Sequence, residues 1–147
     1  MPKLIIRDMQ EDDIPVILKI EKVSFTAPWY KQDFLNEMYK KDVLSKVAVF
    51  EGSIIGYTCV NYHAHKSHIL NLAVHPDFRR QGVATIMMEE VIGELKKRGC
   101  VFMFLKVRVS DTGAQRFYEL LGFKVEGIRK KYYGNPDEDA LMMIRRL

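Results

Sequence analysis

The clearest chemical potential in this chain lies between Leu72 and Thr85. Leu72-Ala73-Val74 reads as the end of an apolar strand and His75-Pro76-Asp77 as a turn; Gly82-Val83-Ala84-Thr85 then opens a helical pattern, with Arg79, Arg80 and Gln81 in between. A helix start carries backbone N–H groups that lack an intrahelical acceptor, together with the positive end of the helix dipole, and both attract anions. Gly82 and Ala84 hold no bulk that would keep an anion off the backbone, and the arginine pair adds charge. The chemistry implied is the binding of phosphate.

Arg79-x-x-Gly82-x-Ala84, preceded by Val74-x-Pro76, resembles the pyrophosphate-binding signature of the GNAT superfamily of acetyl-CoA-dependent N-acetyltransferases. The resemblance extends to the order of elements along the whole chain. It implies an α/β fold: a single domain over residues 1–147, a mixed central sheet of about seven strands, helices on both faces, and fourth and fifth strands that splay apart around acetyl-CoA as co-substrate. On this resemblance the backbone of Leu72, Ala73 and Val74 pairs with the pantetheine arm like an added strand, and one of its N–H groups polarises the thioester oxygen. Arg79 adds charge, while Arg80, Gln81, Gly82, Val83, Ala84 and Thr85 surround the pyrophosphate. Tyr118, in Tyr118-Glu119-x-x-Gly122-Phe123, matches the family tyrosine that protonates the departing coenzyme sulfur. A phenol of pKa ~10 can give a proton to a thiolate whose acid has a pKa of ~8.5. Read from the helix alone, Tyr118 is simply a packing residue.

Two further segments resemble the ribosomal-protein-alanine N-acetyltransferases and their archaeal relatives: Phe25-Thr26-Ala27-Pro28-Trp29, and Arg129-Lys130-Lys131-Tyr132-Tyr133 with Asp139-Ala140-Leu141-Met142-Met143. In that group the two loops wall a narrow slot for a protein N-terminus. The implied acceptor contacts are Phe25, Pro28 and Trp29 on one side and Tyr132 and Tyr133 on the other, and the implied acceptor is a protein α-amine, ribosomal or nascent chains included. Paired aromatics with hydroxyl groups suit a surface that is apolar yet must bind amides. Other acceptors (lysine side chains, small-molecule amines) and acyl-CoA binding without turnover use the same phosphate loop and stay open at this point.

The chain departs from the group at two positions. Lys106 stands in the strand Phe102–Val109 where many of these enzymes carry a Glu or His as general base. At its solution pKa of ~10.4 a lysine is protonated and serves as a base only if burial or a nearby cation lowers that value. Asp111 stands where the family has an Asn that contacts the cofactor; as a residue opening a helical pattern it caps the helix. His68 is the second candidate base. Strand alternation puts it on one face with Leu70, Leu72 and Val74. With Lys106 as a cation beside the amine, neither base is expected to be essential. The four histidines, His63, His65, His68 and His75, are too irregularly spread for a metal site, and none is expected.

These residues must be positioned by the elements around them. Leu4 to Arg7 reads as a strand, Glu11 to Ser24 as an amphipathic helix ended at Thr26-Ala27-Pro28, and Lys31 to Lys40 as a second helix. Ser45 to Phe50 and Ile54 to Ala64 form a hairpin through Glu51-Gly52-Ser53, and His68 to Val74 makes a fourth strand. Gly82 to Arg98 is the clearest helix, with Val83, Ile86, Met87, Val91 and Leu95 on one stripe and Gly99 as its stop. Phe102 to Val109 follows as a strand, Thr112 to Leu121 as a helix, and Lys124 to Tyr133 and Ala140 to Arg146 as a final hairpin.

Length and composition agree with an ordinary globular domain. The chain has 147 residues, 48% hydrophobic and 29% charged, a balance of apolar and charged residues that argues against disorder. No apolar run approaches the ~20 residues of a membrane span, and Met1-Pro2-Lys3-Leu4 lacks the apolar core of a secretory signal. The net charge of +4 favours anionic partners mildly, yet the basic residues are not interleaved with aromatics as in a nucleic-acid module, so neither nucleic acid nor membrane is expected as partner. Cys59 and Cys100 lie in apolar segments and are expected as buried free thiols in a reducing cytoplasm.

Overall fold

Seven strands form one sheet: β1 (Leu4–Asp8), β2 (Val43–Phe50), β3 (Ser53–His63), β4 (Lys66–Val74), β5 (Phe102–Arg108), β6 (Lys124–Tyr133) and β7 (Glu138–Arg146), in the spatial order β1-β2-β3-β4-β5-β7-β6. This is a computed structural model, and it describes residues 3–147. All neighbouring strands are antiparallel except β4 and β5, which are parallel. Four helices cover the sheet: α1 (Ile14–Ser24), α2 (Lys31–Met38), α3 (Val83–Lys97) and α4 (Thr112–Leu120).

The apolar periodicities decide which face each helix covers. Ile14, Ile17 and Ile20 recur at helical spacing on α1 and, with Phe34 of α2, pack on Val47, Tyr57, Cys59 and Ala73. On the opposite face Met88, Val91 and Leu95 of α3 and Tyr118 of α4 pack on Val60, Met103 and Leu105. Each buried aliphatic side chain contributes about 1.5–3 kcal/mol, so both faces are strongly specified. Alternation along β5 sends Met103, Leu105 and Val107 to the α3–α4 face, and Phe102, Phe104, Lys106 and Arg108 therefore point to the α1–α2 face.

Two irregularities create the site. The parallel strands pair only at Lys66↔Phe102, Ser67↔Met103 and His68↔Phe104; beyond that point Ile69–Val74 and Leu105–Arg108 diverge, as the splayed-strand expectation requires. In addition, β3 pairs Cys59 with Asn71 but Val60 with Ile69, so Leu70 is an extra, bulged residue in β4. Leu70 and Ala73 consequently pack on the α1–α2 side, whereas Ile69, Leu72 and Val74 pack on the α3–α4 side. The bulge corrects the alternation inferred from sequence: His68 does not share a face with Leu72 and Val74.

Element boundaries differ modestly. The helix expected from Glu11 begins as a 3-10 turn over Glu11–Asp13, where the Asp13 carboxylate accepts the Gln10 N–H at 2.7 Å and is held by Arg7, with the α-helix starting at Ile14. The long helix starts one residue after Gly82, and the last strand starts at Glu138, not Ala140. Among the described residues no helix is long and apolar enough to cross a membrane.

Candidate active site

Where β4 and β5 part, a cavity of 590 Å³ opens. One wall is β4 from Ile69 to Val74, the other is β5 from Leu105 to Arg108, and Ala114, Phe117 and Tyr118 of α4 close one side. A strand that has lost its neighbour keeps unpaired N–H and C=O groups, so the β4 edge beside Leu72, Ala73 and Val74 can accept an extended ligand as an added strand. Those three residues line the cavity. Asp111 lines it too, and its carboxylate accepts the Ala114 N–H at 3.1 Å, which makes it the N-cap of α4.

Tyr118 is buried at 8% exposure and its ring packs edge-on against Phe117 and Phe123, at 5.1 and 5.5 Å. Burial, with smaller contributions from Asp111 and Tyr133, pushes its hydroxyl well above the ordinary tyrosine range. The phenol is therefore protonated at neutral pH, and its burial makes it a weaker acid than a solvent-exposed tyrosine. Its ring packs on the core and it also lines the cavity.

The loop with the Arg79-x-x-Gly82-x-Ala84 motif follows the end of β4. Gly82 is the N-cap of α3 with φ +85°, a left-handed conformation that glycine adopts without strain, and a Cβ built there would meet nothing within 4 Å. The first turn contributes its N–H groups outward, since the first bond back to Gly82 comes from Ile86. That open cradle of backbone donors fits a pyrophosphate. Arg79 does a different job from its neighbours: its Nε donates to Val74 O at 2.9 Å and its Nη2 to Ser24 Oγ at 3.0 Å, latching the loop onto β4 and the end of α1. Arg79 and Ala84 line the cavity; Arg80, Gln81, Gly82, Val83 and Thr85 belong to the loop and first helical turn beside it.

The two aromatic segments line the same cavity. Phe25, Ala27 and Trp29 of the α1–α2 connection line it opposite Tyr133, with Pro28 and Tyr132 just outside the lining. Trp29 also packs on Phe34 at 5.0 Å, so the indole is at once wall and core anchor. The Tyr132 and Tyr133 rings meet edge-on at 5.0 Å, where pairing of β6 with β7 is interrupted between Arg129 and Tyr133. Burial pushes the Tyr133 hydroxyl up to about 12, and the Arg108 guanidinium lies 4.5 Å above its ring. Arg108 is itself fastened by Glu138 at 3.3 Å and by donation to Pro136 O and Gly134 O, and so holds the β6–β7 turn against β5.

A residue that the sequence did not single out organises this region. Glu21 of α1 is 1% exposed and borders the cavity. Its Oε2 accepts the Trp29 N–H at 2.9 Å, and its Oε1 accepts the Tyr57 hydroxyl at 2.5 Å and Asn71 Nδ2 at 2.8 Å. One carboxylate thereby joins the α1–α2 connection, β3 and the bulged part of β4. A glutamate on the apolar stripe of an amphipathic helix, one position after Ile20, is the signal available in the sequence.

The two candidate bases are placed apart. Lys106 lines the cavity, with its Nζ 5.3 Å from the centre of the Tyr132 ring. His68 lies at the closed end of the gap, at the last paired position of β4 and β5, stacked on Phe104 at 5.4 Å and outside the cavity lining. Burial first, then the charges of Lys106 and Lys66, hold the His68 imidazole below the ordinary histidine range. Cys59 is fully buried in β3 and burial pushes its thiol up to about 12; Cys100, which precedes β5, is also buried and free. Neither is activated as a nucleophile.

A splayed pair of parallel strands and a glycine-opened helix start after the first of them are the architecture of a GNAT N-acetyltransferase. The chain belongs to the acetyltransferase (GNAT) family, whose sequence pattern matches residues 12–123. It is 33% identical over 141 residues to the ribosomal protein bS18-alanine N-acetyltransferase of Haemophilus ducreyi, covering 94% of this chain and 97% of that one. It is 28% identical over 155 residues to the N-alpha-acetyltransferase of Saccharolobus solfataricus, covering 97% and 92%. Among solved structures, the ribosomal-protein-alanine N-acetyltransferase of Escherichia coli superimposes with a TM-score of 0.89 at 29% identity, covering 98% of this chain and 94% of that one.

Proposed function

We propose that this enzyme works in the cytoplasm as a single catalytic domain and moves an acetyl group from acetyl-CoA to the α-amine of a protein N-terminus. The observation that carries the reading is the cavity itself. Its lining brings together Arg79 and Ala84 of the loop and helix start, the free edge of β4, Tyr118, and the aromatic residues Trp29 and Tyr133. The names of the relatives, which act on protein N-termini, support the same acceptor. The two cysteines, both free and buried, suit a reducing compartment.

In this mechanism the N–H groups of the α3 start, with Arg80 and Gln81 beside them, hold the pyrophosphate. The β4 edge at Leu72–Val74 pairs with the pantetheine arm, and one of its N–H groups polarises the thioester oxygen. Phe25, Pro28 and Trp29 take the first acceptor side chain, while Tyr132 and Tyr133 hydrogen-bond the acceptor backbone. The neutral amine attacks the thioester carbon, a C–N bond forms and the C–S bond breaks. The amine proton leaves through water and the Tyr118 hydroxyl protonates the departing sulfur. A peptide α-amine has a pKa of only ~7.7–8.0, so a useful fraction is neutral without a strong base, and Lys106 favours that form as a neighbouring cation. His68, at the closed end of the gap, is not essential to this path.

The test is mass spectrometry of peptides incubated with acetyl-CoA and the enzyme. Peptides with a free N-terminus are expected to gain one acetyl group on it. A peptide with a blocked N-terminus and an internal lysine is expected to stay unmodified, and brisk acetylation of that lysine would replace this reading with a side-chain acceptor.

A further inference from the structure

The charges around the acceptor slot are unevenly committed. Four carboxylates around it, those of Glu21, Glu138, Asp139 and Asp111, are already engaged within the protein. Glu21 accepts three hydrogen bonds, from Trp29, Tyr57 and Asn71. Glu138 is paired with Arg108 and accepts the Ser110 N–H at 2.6 Å. Asp139 accepts the Lys131 N–H at 2.8 Å, and Asp111 caps α4. The cations are different. Lys106 lines the cavity and forms neither a hydrogen bond nor an ion pair among the described residues; its ammonium only faces the Tyr132 ring. Lys66, on the same sheet face, likewise meets only an aromatic ring, that of Phe104 at 5.9 Å. Arg129, Lys130 and Lys131 stand exposed at the outer edge, where β6 breaks register beside Tyr132. Of these acids only Glu138 is paired with a cation; Glu21, Asp139 and Asp111 have their oxygens engaged by neutral donors. Lys106 is left without a contacting counter-ion, in a partly desolvated setting where a charge is screened less than in open water.

Resting on the acceptor proposed above, we infer that the slot selects protein N-termini carrying an acidic side chain at the first or second residue, with Lys106 as the specificity-determining cation. An aspartate or glutamate there would meet an ammonium that lacks a partner. A lysine or arginine would bring a second cation beside it. Arg108 cannot play this part, because Glu138 and the two turn carbonyls occupy its guanidinium. A cation at this place acts on the substrate twice: it attracts the acidic side chain and disfavours the protonated form of the α-amine beside it.

Three peptides identical except for an acidic, a neutral or a basic pair at residues one and two provide the test, with kcat/KM measured by mass spectrometry at low and at moderate salt. The acidic peptide is expected to exceed the basic one at least tenfold at low salt, and the ratio should shrink as salt rises. Lys106→Met should flatten the ratio and Lys106→Glu should invert it. Equal rates for the three peptides with the natural enzyme, or a preference for the basic one, would overturn the inference while leaving N-terminal acetylation standing. If acetyl-CoA raises the melting temperature but no free N-terminus is modified, the acceptor assignment falls and this inference falls with it. The salt dependence is read on the unmutated protein, so the test holds even if a variant folds poorly.

Discussion

The Glu21 carboxylate of α1 accepts a hydrogen bond from the Asn71 side chain of β4 at 2.8 Å, across 50 positions of sequence. Asn71 directly follows the bulged Leu70, and the same carboxylate holds the Trp29 backbone. The strand assigned to the thioester and the loop assigned to the acceptor are therefore fastened to one buried group. All three of its partners are donors, so an ionised, acceptor-only carboxylate satisfies them all.

Glu21→Gln keeps the size of the side chain but turns an NH2 group toward donors. It is expected to lower unfolding stability by about 2 kcal/mol in denaturant titration, since buried unsatisfied groups cost about 1–3 kcal/mol each. In the folded variant KM for peptide should rise more than KM for acetyl-CoA, because the Trp29 backbone loses its anchor. Unchanged stability and kinetics would show the network to be dispensable.

Tyr118→Phe removes only a hydroxyl, and the ring can keep its contacts with Phe117 and Phe123. The expected result is a fall in kcat of about 10²-fold, within the usual range for a positioned proton donor. Acetyl-CoA affinity, read by calorimetry, should change little. A variant that retains full kcat would assign Tyr118 to packing alone.

Acetyl-CoA should raise the melting temperature of the natural chain, as any ligand that prefers the folded state does. Gly82→Glu is expected to abolish that rise. It adds bulk and negative charge to the open space above the α3 start, at a φ of +85° that also strains the new residue. Normal binding by a folded Gly82→Glu variant would put the pyrophosphate elsewhere.

The pH dependence separates the candidate bases. His68 is held below the usual ~6.5, chiefly by burial, so it is largely neutral at pH 7, and a limb of kcat/KM that belonged to it would lie below that value. We expect the limb to follow the acceptor amine, somewhat below its solution value of ~7.7–8.0, and to persist in His68→Gln with less than tenfold loss. Lys106→Met should also lose less than tenfold toward a neutral peptide and move the limb upward, since a cation beside the amine is gone. A hundredfold loss in either variant, with acetyl-CoA binding intact, would identify that residue as the base.

The Arg7–Asp13 pair links β1 to the turn before α1 through two contacts, at 2.8 and 2.9 Å. The Arg7 hydrogen bond is the main reason that the Asp13 carboxyl is held below the ordinary carboxylate range. A lowered folded-state pKa gives stability that is present above the unfolded value of ~3.9 and is lost as pH falls through the folded one. Asp13→Asn should therefore cost about 1–2 kcal/mol at pH 7, discounted because Arg7 is partly exposed, and the difference should disappear in acid. A cost that is equal at pH 7 and pH 2 would mean that packing, not charge, is what the substitution removes.

Features carried by contiguous residues were legible in the sequence. The turn and glycine before α3, the aspartate cap of α4, the stripes of α1 and α3, and the tyrosine in Tyr118-Glu119-x-x-Gly122-Phe123 all depend on neighbours within a few positions, where backbone propensity and helical period act. The order of these elements was enough to expect a mixed sheet, whereas the gap between β4 and β5 was expected from the family resemblance alone. Tertiary structure decided what depends on pairing between distant segments. Nothing in Ile69-Leu70-Asn71 marks Leu70 as the bulged residue; the register against β3 does so, and it turns His68 away from the face of Leu72 and Val74. Likewise, that Glu21 is a junction, that Arg79 latches the loop to β4 and α1, and that Lys106 is left without a counter-ion follow from partners 36, 50 and 55 residues apart, or from their absence. A side chain's type limits the hydrogen bonds it can make, but only the closed chain determines which donors and charges reach it.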